Sequence, residues 1–170
     1  PPTIPAFGGR FNISNGSVRR IDADGSEKIV ITNVEFKADA VSLEKPLSYQ
    51  LGFTSGDGSG SFSAAGTMAI SRDDPLNLEA LRAKAEMHIK NWEVQDVLTI
   101  LAQRGDYPSG SGRLNAELNI SGSPADKLDL EGHLSLDTLK LWGGLLGSDK
   151  PSIKKIAIDL DASGNRQKLA

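Results

Sequence analysis

Residues 109–124, SGSGRLNAELNISGSP, alternate without a break: Leu114, Ala116, Leu118 and Ile120 are apolar, while Arg113, Asn115, Glu117 and Asn119 are polar. Successive side chains of a strand point to opposite faces, so this spacing predicts a strand with one dry and one wet side. The pattern recurs along most of the chain. GRFNIS places Phe11 and Ile13 on one face, and KIVITNVEFKADAV starts with Ile29 and Ile31 before resuming out of phase as Val34, Phe36 and Ala38. That slip at Thr32-Asn33 predicts a β-bulge. LSYQLGFTS gives Leu47, Tyr49, Leu51 and Phe53; GSFSAAGTMAIS gives Phe62, Ala64, Met68 and Ile70 around Gly66. EALRAKAEMHIK sets Leu81, Ala83, Ala85, Met87 and Ile89 against five polar positions, and is read as strand although its residue types favour helix. KLDLEGHLSLDTLKLW carries Leu128, Leu130, Leu134 and Leu136, then slips before Leu139 and Leu141. IKKIAIDLDASG closes the series with Ile156, Ile158, Leu160 and Ala162.

One segment has helical spacing. In NWEVQDVLTILAQRG, Val94, Val97, Leu98 and Leu101 fall at i, i+3, i+4 and i+7, with Asn91 as the expected N-cap, Gly105 as the expected stop and Pro108 barring continuation. Short turns such as DADG and SGDGSG join the other segments. About nine strands and one helix result. Gly16, Gly66, Gly112 and Gly132 each precede an apolar position by two residues, which marks bends or close backbone approach. The fold class expected is mainly β: a long twisted antiparallel sheet curled into a groove or flattened barrel, with one short amphipathic helix. A single domain is expected over residues 8–164. Residues 1–7 read as an extended leader and 165–170 as a tail, whose last three residues, Lys168-Leu169-Ala170, read as a cloning scar.

Composition narrows the chemistry. The chain has 170 residues, 38% hydrophobic and 24% charged, enough for a folded domain. Its net charge is −3 and its basic residues are scattered, which argues against a nucleic-acid partner. With no cysteine, disulfides, thiolate zinc sites and a cysteine nucleophile are excluded. No run of about 18 apolar residues exists to cross a membrane. His88 and His133 fall on polar strand faces with no second imidazole or thiol nearby in sequence, so surface histidines are expected and no metal site. Asp22 to Glu27, DADGSE, matches the start of a calcium loop but lacks its later ligands, and reads as a turn. Most acidic residues lie on wet faces or in turns, and none is flanked by the apolar surroundings that raise a carboxyl pKa, so no enzyme and no cofactor is expected. N-x-S/T matches at Asn12, Asn15 and Asn119 are too short a signal to weigh. WGGLLGS stands out because a turn holds Trp142, Leu145 and Leu146: either it folds back on the core, or it is an apolar tip that meets lipid, ligand or another chain.

The run GSGRLNAELNISGSPADKLDLEGHLSLDTLKL, preceded by ITNVEFKADAVSLEKPLSYQLGFT, FSAAGTMAIS and the VQDVLTILAQRG helix, resembles the AsmA-like family of bacterial envelope proteins. The family's strand ending in a Gly turn, followed by a G-x-L-x-L strand, is matched at Gly132, Leu134 and Leu136, and the resemblance spans roughly residues 8–164. It implies a periplasmic location, inner-membrane anchoring in the full-length protein through a segment outside this chain, and a part in outer-membrane biogenesis and lipid transport. It offers no catalytic residues to carry over.

The expectation is therefore a non-enzymatic periplasmic module whose hydrophobic groove shields or conveys acyl chains, with phospholipid or another envelope lipid as partner. Its lining in the C-terminal half would be Leu114, Leu118, Ile120, Leu134, Leu136, Ile156, Ile158 and Leu160. The alternative is a closed β-domain, filled by these same residues, with a structural or protein-interaction role among envelope proteins. A carbohydrate-binding sandwich would need aromatic platforms, and aromatics make up only 5% of the chain. Bare edges of the sheet predict a dimer in solution, and a clean monomer at high concentration would count against it.

Overall fold

The computed structural model describes residues 8–21, 25, 27–40, 46–69, 81–101, 108–123 and 126–164. Strands β1 (Gly9–Ile21), β2 (Glu27–Ala40), β3 (Leu47–Ser55), β4 (Ser61–Ala69) and β5 (Arg82–Glu93) lead into helix α1 (Val94–Leu101), and β6 (Ser109–Gly122), β7 (Leu128–Trp142) and β8 (Ser152–Gly164) follow. The eight strands form one antiparallel sheet in the order in which the chain makes them. Among the described residues there are eight strands against the nine or so expected, and β2 and β7 each run unbroken through their phase slips. Ile70, Gly105 and both terminal segments lie outside the described residues.

Alternation along a strand fixes which side chains share a face, and register across strands decides whether those faces join. Here they join across the whole sheet. Ile13 pairs with Phe36, Phe36 with Leu51, Leu51 with Ala64 and Ala64 with Met87; the row continues through Leu118 and Gly132 to Leu160. Beside it runs a second row, Phe11, Ala38, Tyr49, Gly66, Ala85, Ile120, Leu130 and Ala162. Every member of both rows is apolar, aromatic or glycine. The opposite face is polar, with Lys37, Gln50, Glu86, Asn119, Glu131 and Asp161 in one row interrupted only by Ala65.

Of the two forms the pattern allowed, the sheet takes the open one. Among the described residues β1 pairs only with β2, and β8 only with β7. A Cβ added at Gly66 would stand 1.9 Å from the Lys84 carbonyl oxygen, and one at Gly132 would stand 2.2 Å from the Glu117 carbonyl oxygen. Both would point to the apolar side, so at these places the next strand's backbone is drawn up on that side. Tyr49 and Leu118 lean over the same two glycines. At both glycines the neighbouring strand comes closer than any side chain would allow.

A line of bulges crosses the strands and accentuates the twist. Asn15 (φ 56°), Asn33 (φ 52°), Asn91 (φ 52°) and Thr138 (φ 51°) occupy left-handed conformations in β1, β2, β5 and β7, where the registers shift. Asparagine tolerates this region; a β-branched threonine there is strained. The bulge expected at Thr32-Asn33 is thus present, and the slip before Leu139 is the bulge at Thr138. The expected cap of α1 is corrected. Asn91 lies in β5, its Nδ2 donates to the Ser59 carbonyl at 2.9 Å, and its own backbone N–H donates to Asn115 Oδ1 at 2.8 Å. It turns the strand instead of capping the helix. Leu98 of α1 packs near Gly110, whose N–H donates to Gln95 Oε1 at 2.9 Å, so the helix sits at one end of the apolar face against β5 and β6.

The turn between β3 and β4 is held by an internal network. The buried Ser55 hydroxyl donates to Asp57 Oδ1 at 2.5 Å, Ser59 donates to the same oxygen through its N–H (3.0 Å) and hydroxyl (2.9 Å), and Gly60 N–H donates to Ser55 Oγ at 2.8 Å. The Ser55 hydrogen bond, then those from Ser59, lower the Asp57 pKa to about 2. A carboxyl whose folded pKa lies below its unfolded value of about 3.9 stabilises the fold above that value. The contribution is lost as pH falls from about 4 toward 2. Thermal melts of the wild type and Asp57→Asn between pH 5 and pH 2 are expected to converge across that window, and a constant difference in melting temperature would refute the assignment.

Candidate functional site

The apolar face is the feature without an internal explanation. A single-layered sheet normally buries its dry side against a second layer. Among the described residues the only covering element is α1, at one end. Burial reflects this. Ala38, Ala64, Ala116, Leu139, Trp92 and Val94 are buried, but Phe11 is 56% exposed, Ile13 40% and Ile158 43%. The larger aliphatic side chains between them are half-buried by their neighbours in the same layer.

All eight residues expected to line a groove lie on this face. Leu114, Leu136 and Ile156 form one cross-strand row; Leu134 and Ile158 share the next with Ala116; Leu118 and Leu160 flank Gly132; Ile120 stands opposite Leu130. What sequence reasoning missed is the extent. Phe11, Ile13, Phe36, Leu51 and Met87 continue the same face through β1 to β5. Their alternation was visible, but their alignment with β6 to β8 depends on registers that no single strand encodes.

The end nearest α1 is aromatic. Phe53 and Phe62 stack at 4.6 Å between ring centroids, and Trp92 meets Phe53 edge to face at 5.6 Å. Among the described residues the buried Trp92 Nε1 has no hydrogen-bond acceptor. Beyond the bulge line, Arg113 bridges Glu93 at 2.7 Å and donates to Ser59 Oγ at 3.2 Å, which ties β6 to the β3–β4 turn on the wet side. Of the WGGLLGS segment, Trp142 ends β7 and is 39% exposed, Leu146 is half-buried in a short 3-10 turn (Gly144–Leu146), and the Leu145 side chain lies outside the described residues. A shallow depression of about 350 Å3 beside Trp142 is lined by Lys140, Leu141, Lys150 and Ser152.

The wet face brings together residues that sequence spacing keeps apart. His88 pairs with Glu117 and Glu117 with His133, so the histidines stand two strands apart in one row. His88 Nε2 lies 2.9 Å from Glu86 and His133 Nδ1 2.7 Å from Asp159. No group of three or more His, Cys, Asp or Glu side chains among the described residues is arranged to hold a metal ion. Asn12, Asn15 and Asn119 are all exposed. Of the Asp22 to Glu27 turn only Gly25 and Glu27 are described. No described helix is long and apolar enough to cross a membrane.

No protein-family model, no curated protein and no solved structure matches this chain. The fold defines an open, one-sided antiparallel β-sheet protein whose apolar face, among the described residues, is covered only by α1 at one end.

Proposed function

We propose that the chain is a non-enzymatic module that shields or conveys lipid acyl chains, acting in the periplasm as part of an AsmA-like envelope protein. One observation carries the reading: an apolar surface continuous over eight strands, with α1 at one end as its only cover among the described residues. Seven interstrand spacings make that surface about 34 Å across the strands. One leaflet's hydrocarbon is about 15 Å thick, so the face has room for two acyl chains end to end. Each methylene removed from water contributes about 0.8 kcal/mol, and no directional hook is needed to hold such a ligand. Head groups would remain in water along the rim. The periplasmic location, the membrane anchor and the link to outer-membrane biogenesis rest on the sequence resemblance.

Native mass spectrometry of the purified chain, with organic extraction, tests this. Phospholipid at defined stoichiometry is expected, and its occupancy should fall at least severalfold in Leu118→Asp while circular dichroism stays that of a β-sheet. Leu118 lies mid-face and half-buried, where an introduced carboxylate can still reach water but spoils an apolar track. A protein that carries no lipid and ignores added phospholipid vesicles would overturn the proposal and favour a docking role among envelope proteins.

A further inference from the structure

We propose that the outer edge of β8 is a self-pairing interface, and that two copies of this chain join there into one continuous sixteen-stranded sheet. Among the described residues nothing pairs with that edge, so its outward N–H and C=O groups are open to a second strand. The occupant is identified by the residues of β8 itself. Along IKKIAIDLDA, the first half carries Lys154 and Lys155 and the second half Asp159 and Asp161, so antiparallel pairing with a second copy sets unlike charges opposite one another. Parallel pairing in register would set like charges together.

One register satisfies both faces. With the two-fold axis at Ile158, Ile158 meets its own copy, Ile156 meets Leu160 and Leu160 meets Ile156, all on the apolar side. Lys155 and Asp161 then face each other twice on the polar side. Ile158, 43% exposed in the single chain, is the residue such an axis would cover. Asp159 stays with His133 at 2.7 Å and is not required. A two-fold perpendicular to the sheet keeps both apolar faces on the same side, so the dimer doubles the track without closing it. Two-fold pairing at this edge joins two copies and no more through β8, whereas joining β8 to β1 would propagate.

The chain has no cysteine, which makes a single introduced thiol specific. Ile158→Cys under mild oxidant is expected to give a disulfide-linked dimer, because directly opposed antiparallel positions lie within disulfide reach. Ala157→Cys and Asn12→Cys should stay monomeric on denaturing gels. In the cysteine-free background, Asp161→Lys and Lys155→Asp should each weaken association on the order of tenfold by sedimentation. The double swap should restore it, and an equimolar mixture of the two single variants should form heterodimers. A monomer at every concentration, linkage through Ala157→Cys in place of Ile158→Cys, or a ladder of higher oligomers through Asn12→Cys would each overturn the proposal.

Discussion

Replacing Gly66 with alanine is expected to destabilise the protein by roughly 2–4 kcal/mol, although it adds a single methyl group. The same substitution at Gly52, on the neighbouring strand, should change stability by less than about 0.5 kcal/mol. The contrast comes from what each new Cβ would meet. At Gly66 it would overlap the Lys84 carbonyl oxygen at 1.9 Å, with the Tyr49 hydroxyl at 2.9 Å and Ala85 Cα at 3.0 Å. Two of those three atoms are backbone and cannot rotate away. At Gly52 the nearest atom is the Phe62 carbonyl oxygen at 3.8 Å, an ordinary contact. Alanine also restricts the unfolded chain, which favours folding slightly at both sites and cannot offset a backbone clash at one of them. Urea denaturation of the two variants side by side measures the difference. Equal stabilities would mean that β4 and β5 do not approach as closely as described.

The prediction reaches beyond stability because of where Gly66 and Gly132 lie. Each sits in a cross-strand row of the apolar face, beneath a large neighbour. If they let the sheet curl, their alanine variants should flatten it and expose more of the face they were helping to enclose. A Gly132→Ala protein that still folds is therefore expected to bind a hydrophobic dye more strongly than the wild type.

Much of this fold is legible in the sequence for a specific reason. A sheet with one dry side writes its period into every strand, so Leu114 to Ile120 or Ala83 to Ile89 announce both the element and the face. The bulge at Asn33 is legible because it shifts the phase of Val34, Phe36 and Ala38 against Ile29 and Ile31. Asn91 was open to misreading because the residue type that caps helices also tolerates left-handed backbone, and Val94 begins a helix three residues on. Closure was not legible at all: a barrel and an open sheet share the same alternation and differ only in whether β1 meets β8. Nor was the row of His88, Glu117 and His133, since its members come from three strands and no local spacing relates them. For the candidate site, the chemistry of the lining was readable from each strand and its continuity was not. Continuity is a property of seven registers, and the sequence states them only through the pattern that every strand must satisfy at once.

Trp92→Ala is expected to cost about 3–5 kcal/mol, the largest loss of any aromatic truncation in this chain. Trp92 is only 5% exposed, the largest of the few buried side chains among the described residues, where most other large apolar side chains remain half in water. It stands just past the Asn91 bulge, opposite Leu114, edge to face with Phe53, and against the backbone of Gly60. Removing the indole would leave a cavity where β5, β6 and the β3–β4 turn converge on the start of α1. At about 2–4 °C per kcal/mol for a chain of this length, the melting temperature should fall by roughly 10 °C. Trp92→Phe separates packing from polarity. The indole N–H has no acceptor among the described residues, so the substitution gives up no hydrogen bond there and relieves a buried polar atom of its desolvation penalty. It should retain most of the stability, at a cost below about 1.5 kcal/mol. The remaining tryptophan, Trp142, is 39% exposed, so the emission of the wild type should lose its blue component in both variants. A Trp92→Phe protein as unstable as Trp92→Ala would show that the N–H, and not the ring, holds this end of the sheet together.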